Sequence, residues 1–441
     1  MNIDFGTVTG PVKPVNGVGQ PPLADALNTW TLMHYLGEAG IPFSRLHDTG
    51  GWLGGGLYVD IPNLFRDFGA DEEDPANYSF AFTDALLTEL ARQSVEPIFR
   101  LGVSIENFVE RGFPPMRILP PSDPAKWARI CEHVIRHYTE GWANGFRFTV
   151  TRWEIWNEPE NNPVVEKNPM WRGDWKSYCD FYGVVAPYLK AKFPHLRIGG
   201  YGSCGFYAGT DSQAVAAANS TPRLQYFVDC AHEFLGRARS EGWPLDFFSY
   251  HTYSGPKEAL RQAEFADRLL SSYGFTREKT ERILDEWLPE PWLGKLGSPR
   301  QAAEIAAGMI ALQNGPCDIA CLYDAACSSS IYAPLFNPLT RRPHKAYYAF
   351  VAFHELRKLG SAIPCRDVPD GLFAAAATDS TGRAALLLAN LGEPPVPLPA
   401  DYSGRRPVRA RVIDATHDWT EIPPPAAIGP ESVLLLEFPR A

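Results

Sequence analysis

The chain lacks the marks of several protein classes. No stretch approaches the roughly 20 apolar residues of a membrane-spanning helix. The N-terminal Met1-Asn2-Ile3-Asp4-Phe5-Gly6 has no basic start and no apolar run of signal length. Both absences lead us to expect a cytoplasmic protein with no membrane partner, with a secreted protein whose signal has been removed as the alternative. Runs of Lys or Arg are also missing, and the net charge is −10, which argues against nucleic acid as a partner. Only 8 cysteines occur in 441 residues, none in a Cys-x-x-Cys pair. Reduced, mostly buried thiols fit that scatter better than a disulfide framework. There is no P-loop and no Gly-x-Ser-x-Gly elbow. His133 and His137 have the four-residue spacing of a zinc pair, but without the glutamate of His-Glu-x-x-His they suit a helix surface better. Gly200-Tyr201-Gly202-Ser203-Cys204-Gly205 matches Gly-x-Gly-x-x-Gly, yet no helix opens within it, so it does not predict a dinucleotide site.

What is present is an ordinary globular composition, 45% hydrophobic and 21% charged, long enough for one large domain and a smaller one. Aromatic residues reach 12%, with 12 Trp and 18 Tyr. Such rings fill a large core or stack on sugars. Short apolar runs alternate with segments of helical period. The expected strands lie near 12–16, 42–47, 95–101, 151–157, 196–201, 246–251, 281–286 and 319–324. The expected helices lie near 22–39, 80–92, 123–140, 174–192, 222–241, 257–272, 298–314 and 344–358. Asp123-Pro124 and Ser298-Pro299 each place a cap before a proline at the first helical position. Eight strand–helix pairs predict an α/β protein, a (β/α)8 TIM barrel over residues 10–358, with an open doubly wound sheet as the alternative.

The pattern changes after residue 359. Gly371–Thr378, Arg383–Asn390, Arg406–Ile413 and Ser432–Phe438 read as short strands between proline-rich turns. Residues 359–441 are therefore expected to form a small C-terminal antiparallel β-sandwich domain. Four strands make a thin layer, and residues 1–9 are available to join it. The loop 48–78 follows the second strand and would overhang the barrel mouth.

Trp153-Glu154-Ile155-Trp156-Asn157-Glu158-Pro159 reads as a buried strand that stops at an acid, because Pro159 lacks a backbone donor. Ile283-Leu284-Asp285-Glu286-Trp287 ends the seventh expected strand in the same way. Active sites of (β/α)8 barrels lie at the C-terminal ends of their strands. The fourth and seventh strands face each other, so these ends can converge over the barrel axis. Either glutamate alone is more often a solvated charge or a cap. Two on opposed strands fit glycoside hydrolysis, which needs a pair of carboxyl groups astride the scissile bond. Alternation places Glu154 on the face of Glu158 but separates Asp285 from Glu286. Glu154, four residues deeper, is expected to be a buried, paired acid, and Glu160 to lie in a loop.

These motifs resemble clan A of the glycoside hydrolases. Arg45-Leu46-His47, Tyr78–Asp84, Pro194–Gly200 and above all Asp246–Tyr253 point more narrowly to family 39, which holds β-xylosidases and α-L-iduronidases. The resemblance runs from about Ser44 to the C-terminus. It implies a retaining double displacement, with Glu286 as nucleophile and Glu158 as acid/base. Burial and aromatic neighbours should raise the pKa of Glu158, while Glu286 should start ionised. Asn157 would bond the sugar 2-hydroxyl. His251 and Tyr253 would orient the nucleophile or hold the sugar, and His47 would contact it. Trp287, Trp292, Trp52 and Trp171 are candidate stacking walls. At the eighth strand the family has a Trp under the sugar, where this chain has Tyr323 in Cys321-Leu322-Tyr323-Asp324. The expected activity is exo-acting and β-xylosidase-like, on an oligosaccharide or glycoside, with no cofactor or metal. Release of another sugar or a disaccharide is the alternative within the class. A non-catalytic carbohydrate-binding barrel is the alternative outside it. A homo-oligomer is compatible with the sequence.

Overall fold

The computed structural model describes residues 1–23, 31–49, 59–105, 116–210 and 221–440. Eight parallel strands close a barrel in sequence order. They are β1 (Gly17–Gly19), β2 (Phe43–Leu46), β3 (Glu96–Leu101), β4 (Arg152–Ile155), β5 (Arg197–Ser203), β6 (Phe247–Thr252), β7 (Glu281–Trp287) and β8 (Ile319–Leu322). A helix follows each in turn: α1 (His34–Glu38), α2 (Ala81–Arg92), α3 (Pro124–Thr139), α4 (Trp175–Lys192), α5 (Thr221–Glu241), α6 (Pro256–Ser272), α7 (Pro299–Asn314) and α8 (Lys345–Arg357). The caps act as expected. Asp123 accepts from the Ala125 and Lys126 amides at 2.9 and 3.0 Å, and Ser298 accepts from that of Gln301 at 3.2 Å. Among the described residues no helix is long and apolar enough to cross a membrane.

Several strands depart from the sequence expectation: the fifth runs on to Ser203, the eighth stops at Leu322, and the first and fourth differ for identifiable reasons. The first was expected at 12–16, where Pro11 and Pro14 remove ladder donors; β1 starts instead at Gly17. A Cβ there would lie 2.8 Å from the Ala320 carbonyl, so the approach of β8 demands glycine. The fourth stops at Ile155 rather than 157, because Trp156 and Glu158 take left-handed backbone angles (φ +74° and +43°). In the first expected helix, only His34–Glu38 is helical among the described residues, with 24–30 outside them.

Inside the barrel, Ile98, Phe247, Ile283, Ile319 and Cys321 form one apolar cluster with Phe43 against it. These residues come from strands that are not all neighbours, so they meet across the lumen and plug its lower half. Outward-facing residues such as Phe99, Trp153 and Leu284 pack under the helices in the main core. His137, on α3, lies 3.0 Å from Asp84 and stacks on Phe80, while His133 bonds the Arg129 carbonyl, so the two histidines serve local packing.

The C-terminal region builds a seven-stranded antiparallel sheet. Its order is Asp418–Ile422, Arg409–Ile413, Ser432–Phe438, Ala384–Asn390, Leu372–Thr378, Ser361–Ile363 and Gly10–Pro11. Gly10 and Pro11 thus pair within the accessory sheet, on the far side of the expected boundary at residue 10. Asn2–Ile3 pairs with Cys365–Arg366, and Val396–Pro397 with Ala427–Ile428. Alternation explains how the central strand is buried on both faces. Leu386 and Leu388 meet Ile3, Leu434 and Phe438 in a separate core. Ala385, Leu387 and Ala389 join the main core. Asn314 of α7 donates to the Ala374 carbonyl at 3.0 Å, so the sheet docks on its own barrel.

Candidate active site

Two residues above the apolar plug, the barrel interior becomes ionic. Phe43 is followed on its face by Arg45, Phe247 by Ser249, and Ile283 by Asp285. Arg45 is 1% exposed and organises the layer. Its Nη2 and Nε lie 2.8 and 2.9 Å from Glu154 Oε2, and Nε also lies 2.9 Å from Asp285 Oδ2. Nη1 donates to Glu286 Oε2 at 2.9 Å and Nη2 to Asn157 Oδ1 at 2.6 Å. One guanidinium, with its fork of donors, thus ties three carboxyl groups and an amide into a single cluster. Glu154 also accepts from the Ser249 hydroxyl at 2.6 Å. Burial pushes Glu154 up to about 8, against the pull of Arg45. Asp285 moves the other way: burial would raise it, but Arg45 and His251 hold it below the usual carboxylate range. Glu154 is therefore the buried, paired acid expected of it.

Strict alternation would not bring these groups together, and two local irregularities do. On β7, Leu284 pairs with Tyr250 but Glu286 pairs with His251, so the strand gains a residue at Asp285–Glu286. This bulge turns two consecutive carboxyl groups toward Arg45. Just past β4, the left-handed Trp156 shifts the phase, so Asn157 joins Glu154 although it stands three positions on. The Trp156 indole is anchored by donating to the Met170 carbonyl at 2.8 Å.

Above Arg45 stand Glu158, His251 and Glu286, each with a ligating atom within 4.8 Å of the others. His251 Nδ1 lies 2.8 Å from Glu158 Oε1 and 3.7 Å from Glu286 Oε2, and Nε2 lies 3.5 Å from Asp285. Asn161 donates to Glu158 Oε2 at 2.6 Å, and the Tyr253 hydroxyl donates to Glu286 Oε1. Burial alone would keep His251 neutral, but Glu286, Asp285 and Glu158 outweigh it and push its pKa well up. The two glutamates respond in opposite senses. Burial would raise Glu158, yet the His251 imidazolium and Asn161 bring it below its ordinary value. Glu286 rises, first through burial, with the Glu158 charge adding to it against His251, Arg45 and Tyr253. These directions reverse the expectation from burial and aromatic neighbours, because a cation sits against Glu158.

The remaining sequence candidates divide. Asn157 presents its amide nitrogen away from Arg45, since its oxygen is taken. His47 is 4% exposed, with Nε2 3.4 Å from Asp48 and Nδ1 without a partner among the described residues; burial, then Arg100 and Arg45, hold it neutral. Tyr323 stands at the end of β8 and donates to Asp48 Oδ2 at 3.2 Å. Trp287 is not a pocket wall. It is 1% exposed and turns onto α7, where a Cβ on Gly308 would fall 2.5 Å from its ring. Trp171 is likewise buried, perpendicular to Trp156 at 4.9 Å. Trp292 is 63% exposed on the loop after β7, and Trp52 lies outside the described residues. Glu160 is in the expected loop but fully buried, accepting from the Cys204 amide at 2.8 Å; burial pushes it up to about 7. The Gly-rich stretch ends β5, where Gly202 (φ +66°) leaves room for Arg45 and His251 within 3.2 Å of where a Cβ would stand.

Sequence reasoning passed over four residues: Arg45 as a hub, Asp48, Gln20 and Tyr332. A signal existed for the first. Arg45 stands between Phe43 and His47 on one face of a strand, and a cation in such a place needs carboxylate partners. Tyr332 lies in the loop after β8, its ring 5.5 Å from Tyr253 and 5.8 Å from Tyr323. Nothing in its local sequence marks it.

The profile of glycosyl hydrolases family 39 matches residues 21–291, more than half of the chain, including both acids. The chain belongs to that family. This family 39 protein is accordingly an O-glycosyl hydrolase that acts on a glycoside. A glucosidase from Croceicoccus marinus shares its fold at a TM-score of 0.73 and 20% identity, covering 100% of this chain and 98% of the other. A monomeric β-xylosidase from Caulobacter crescentus CB15 superposes at 0.67 with 15% identity, covering 99% of each chain. A family 39 enzyme from Xanthomonas axonopodis pv. citri does so at 0.65 with 18% identity, covering 100% and 97%. No curated protein sequence matches the chain.

Proposed function

We propose that this family 39 hydrolase is a retaining, exo-acting glycosidase of β-xylosidase type. The observation that carries the retaining mechanism is the approach of Glu158 and Glu286, whose closest carboxylate oxygens are within 4.8 Å. Retaining enzymes hold the pair roughly 5–5.5 Å apart, whereas inverting enzymes leave roughly 6.5–9.5 Å for a water. In this reading Glu286 attacks the anomeric carbon. Arg45 and Tyr253 each bond one of its oxygens, which orients the carboxylate and favours its ionised form. Glu158 protonates the leaving oxygen, then takes a proton from the water that releases the sugar.

The reversed pKa directions fit this chemistry once the cluster is treated as one titrating unit. With the proton on His251, Glu158 is ionised and its charge raises Glu286. Passing that proton across the 2.8 Å contact makes Glu158 the acid and removes the repulsion on Glu286. The number of protons is unchanged, and both carboxyl groups are then in the state the first step requires. Asn157 offers its amide nitrogen to the 2-hydroxyl. In this reading Tyr253, Tyr323 and Tyr332, whose ring centroids lie 5.5–6.4 Å apart, wall one side of a site that takes a single sugar residue.

Incubation with 2-deoxy-2-fluoro xylosides and glucosides, followed by digestion and mass spectrometry, tests the reading. A sugar adduct on Glu286 is expected, and an adduct on another residue would overturn the nucleophile. Glu158→Ala should slow natural linkages most, and azide should restore turnover of activated aryl glycosides. Unchanged hydrolysis of natural linkages would remove Glu158 from its role.

A further inference from the structure

Asp48 lies at the mouth end of β2, beside the pocket, and the family resemblance gives it no role. Its backbone is left-handed (φ +50°). Oδ1 accepts from the Ile105 amide at 3.0 Å and lies 3.4 Å from His47 Nε2. Oδ2 accepts from the Tyr323 hydroxyl at 3.2 Å, and that hydroxyl accepts from Gln20 Nε2 at 2.7 Å. An ionised carboxylate offers about four acceptor positions. Ile105, Tyr323 and His47 take at most three. The Asp48 side chain is 18% exposed, whereas Glu154 and Asp285 are sealed at 0%. It also lies close enough to Glu286 to feel its charge. Next to it, His47 Nδ1 is buried and has no partner among the described residues. Among the described residues, Asp48 thus keeps an acceptor position on its exposed side that no protein donor fills.

We propose that Asp48 is a specificity-determining residue, accepting hydrogen bonds from the 3- or 4-hydroxyl of a neutral glycone. Tyr323, pinned by Gln20, is its positioning residue. The inference rests on the glycosidase reading above, in which Asn157 takes the 2-hydroxyl. It gives the Tyr323 position a function of its own: its hydroxyl, held between Gln20 and Asp48, positions a carboxylate for the sugar. A glycone with its own carboxylate would meet like charge at this wall.

A cycle between side chain and substrate hydroxyl tests this. Wild type, Asp48→Ala and Asp48→Asn are assayed with 4-nitrophenyl β-D-xyloside and its 2-, 3- and 4-deoxy analogues. A hydrogen bond to a charged group corresponds to about a 10- to 150-fold change in kcat/KM. Asp48→Ala should lose that factor on the parent, and wild type should lose it on one of the 3- or 4-deoxy substrates. The variant should then lose little more on that same deoxy substrate, while its loss on the 2-deoxy substrate multiplies in full. Equal slowing on the parent and on every deoxy analogue would overturn the proposal and leave Asp48 a support for Tyr323. Should Asp48→Ala fail to fold, Asp48→Asn keeps an oxygen for Tyr323 and carries the same comparison. If wild type turns over another aryl glycoside instead of the xyloside, the xylose assignment fails, and the cycle is run on the deoxy series of that sugar.

Discussion

The two halves of the barrel interior are built from the same strands and obey opposite physics. Below, Ile98, Phe247, Ile283, Ile319 and Cys321 meet without a polar side chain. Two residues further along those strands stand Arg100, Ser249, Asp285 and Tyr323, with Arg45 holding Glu154, Asp285 and Glu286. The lower half gains from burial, about 25 cal/mol for each Å² of apolar surface removed from water. The upper half carries a desolvation cost that ion pairing offsets only in part, as the raised Glu154 and Glu286 show. Packing therefore accounts for the plug, and chemistry accounts for the layer above it.

Four measurements would break or sharpen this contrast. Glu286→Ala should have the largest effect, lowering kcat on an aryl glycoside by on the order of 10⁴-fold or more, since the covalent route disappears. Arg45→Met comes next. It leaves a cluster of buried carboxyl groups without their cation and should cost about 3–5 kcal/mol in urea unfolding. A loss below about 1 kcal/mol would show that the acids compensate one another by sharing protons. Ile283→Ala, in the plug, should cost about 2–4 kcal/mol through the cavity it leaves, with KM nearly unchanged. A large change in KM would mean that the two halves are mechanically coupled.

The smallest effect concerns pH. Glu154 has a folded pKa raised to about 8 from an ordinary value near 4.5. The folded state then binds the extra proton, so this contribution to stability is complete below about 4.5 and is lost as pH rises toward 8. Glu154→Gln should flatten that part of the urea-midpoint profile. An identical profile in wild type and variant would place the proton elsewhere in the cluster.

Much of this was legible in the sequence because it depends on local pattern. Alternation, helical period and the caps at Asp123 and Ser298 report on neighbours a few residues away, and the strands and helices followed them closely. The failures share one cause. Strand alternation separates Asp285 from Glu286 and unites Glu154 with Glu158, but a bulge on β7 and the left-handed Trp156 after β4 rearrange both relations. Trp287 looked like a wall from its place beside Glu286, and Gly308 on α7, 21 residues away, draws it into the core instead. The lowered pKa of Glu158 depends on His251, 93 residues distant.

By itself the sequence determined that a barrel would form and that two acids would end opposed strands, since period and strand-end chemistry are written in adjacent residues. Only the tertiary structure decided that Arg45 joins three of the carboxyl groups, that His251 stands between Glu158 and Glu286, and that Asp48 keeps an open side beside Tyr323. Charges as far apart in sequence as Glu158 and His251 (93 residues) or Arg45 and Glu286 (241 residues) interact only after the barrel closes. Their pKa values and free lone pairs belong to that closed arrangement rather than to any stretch of chain.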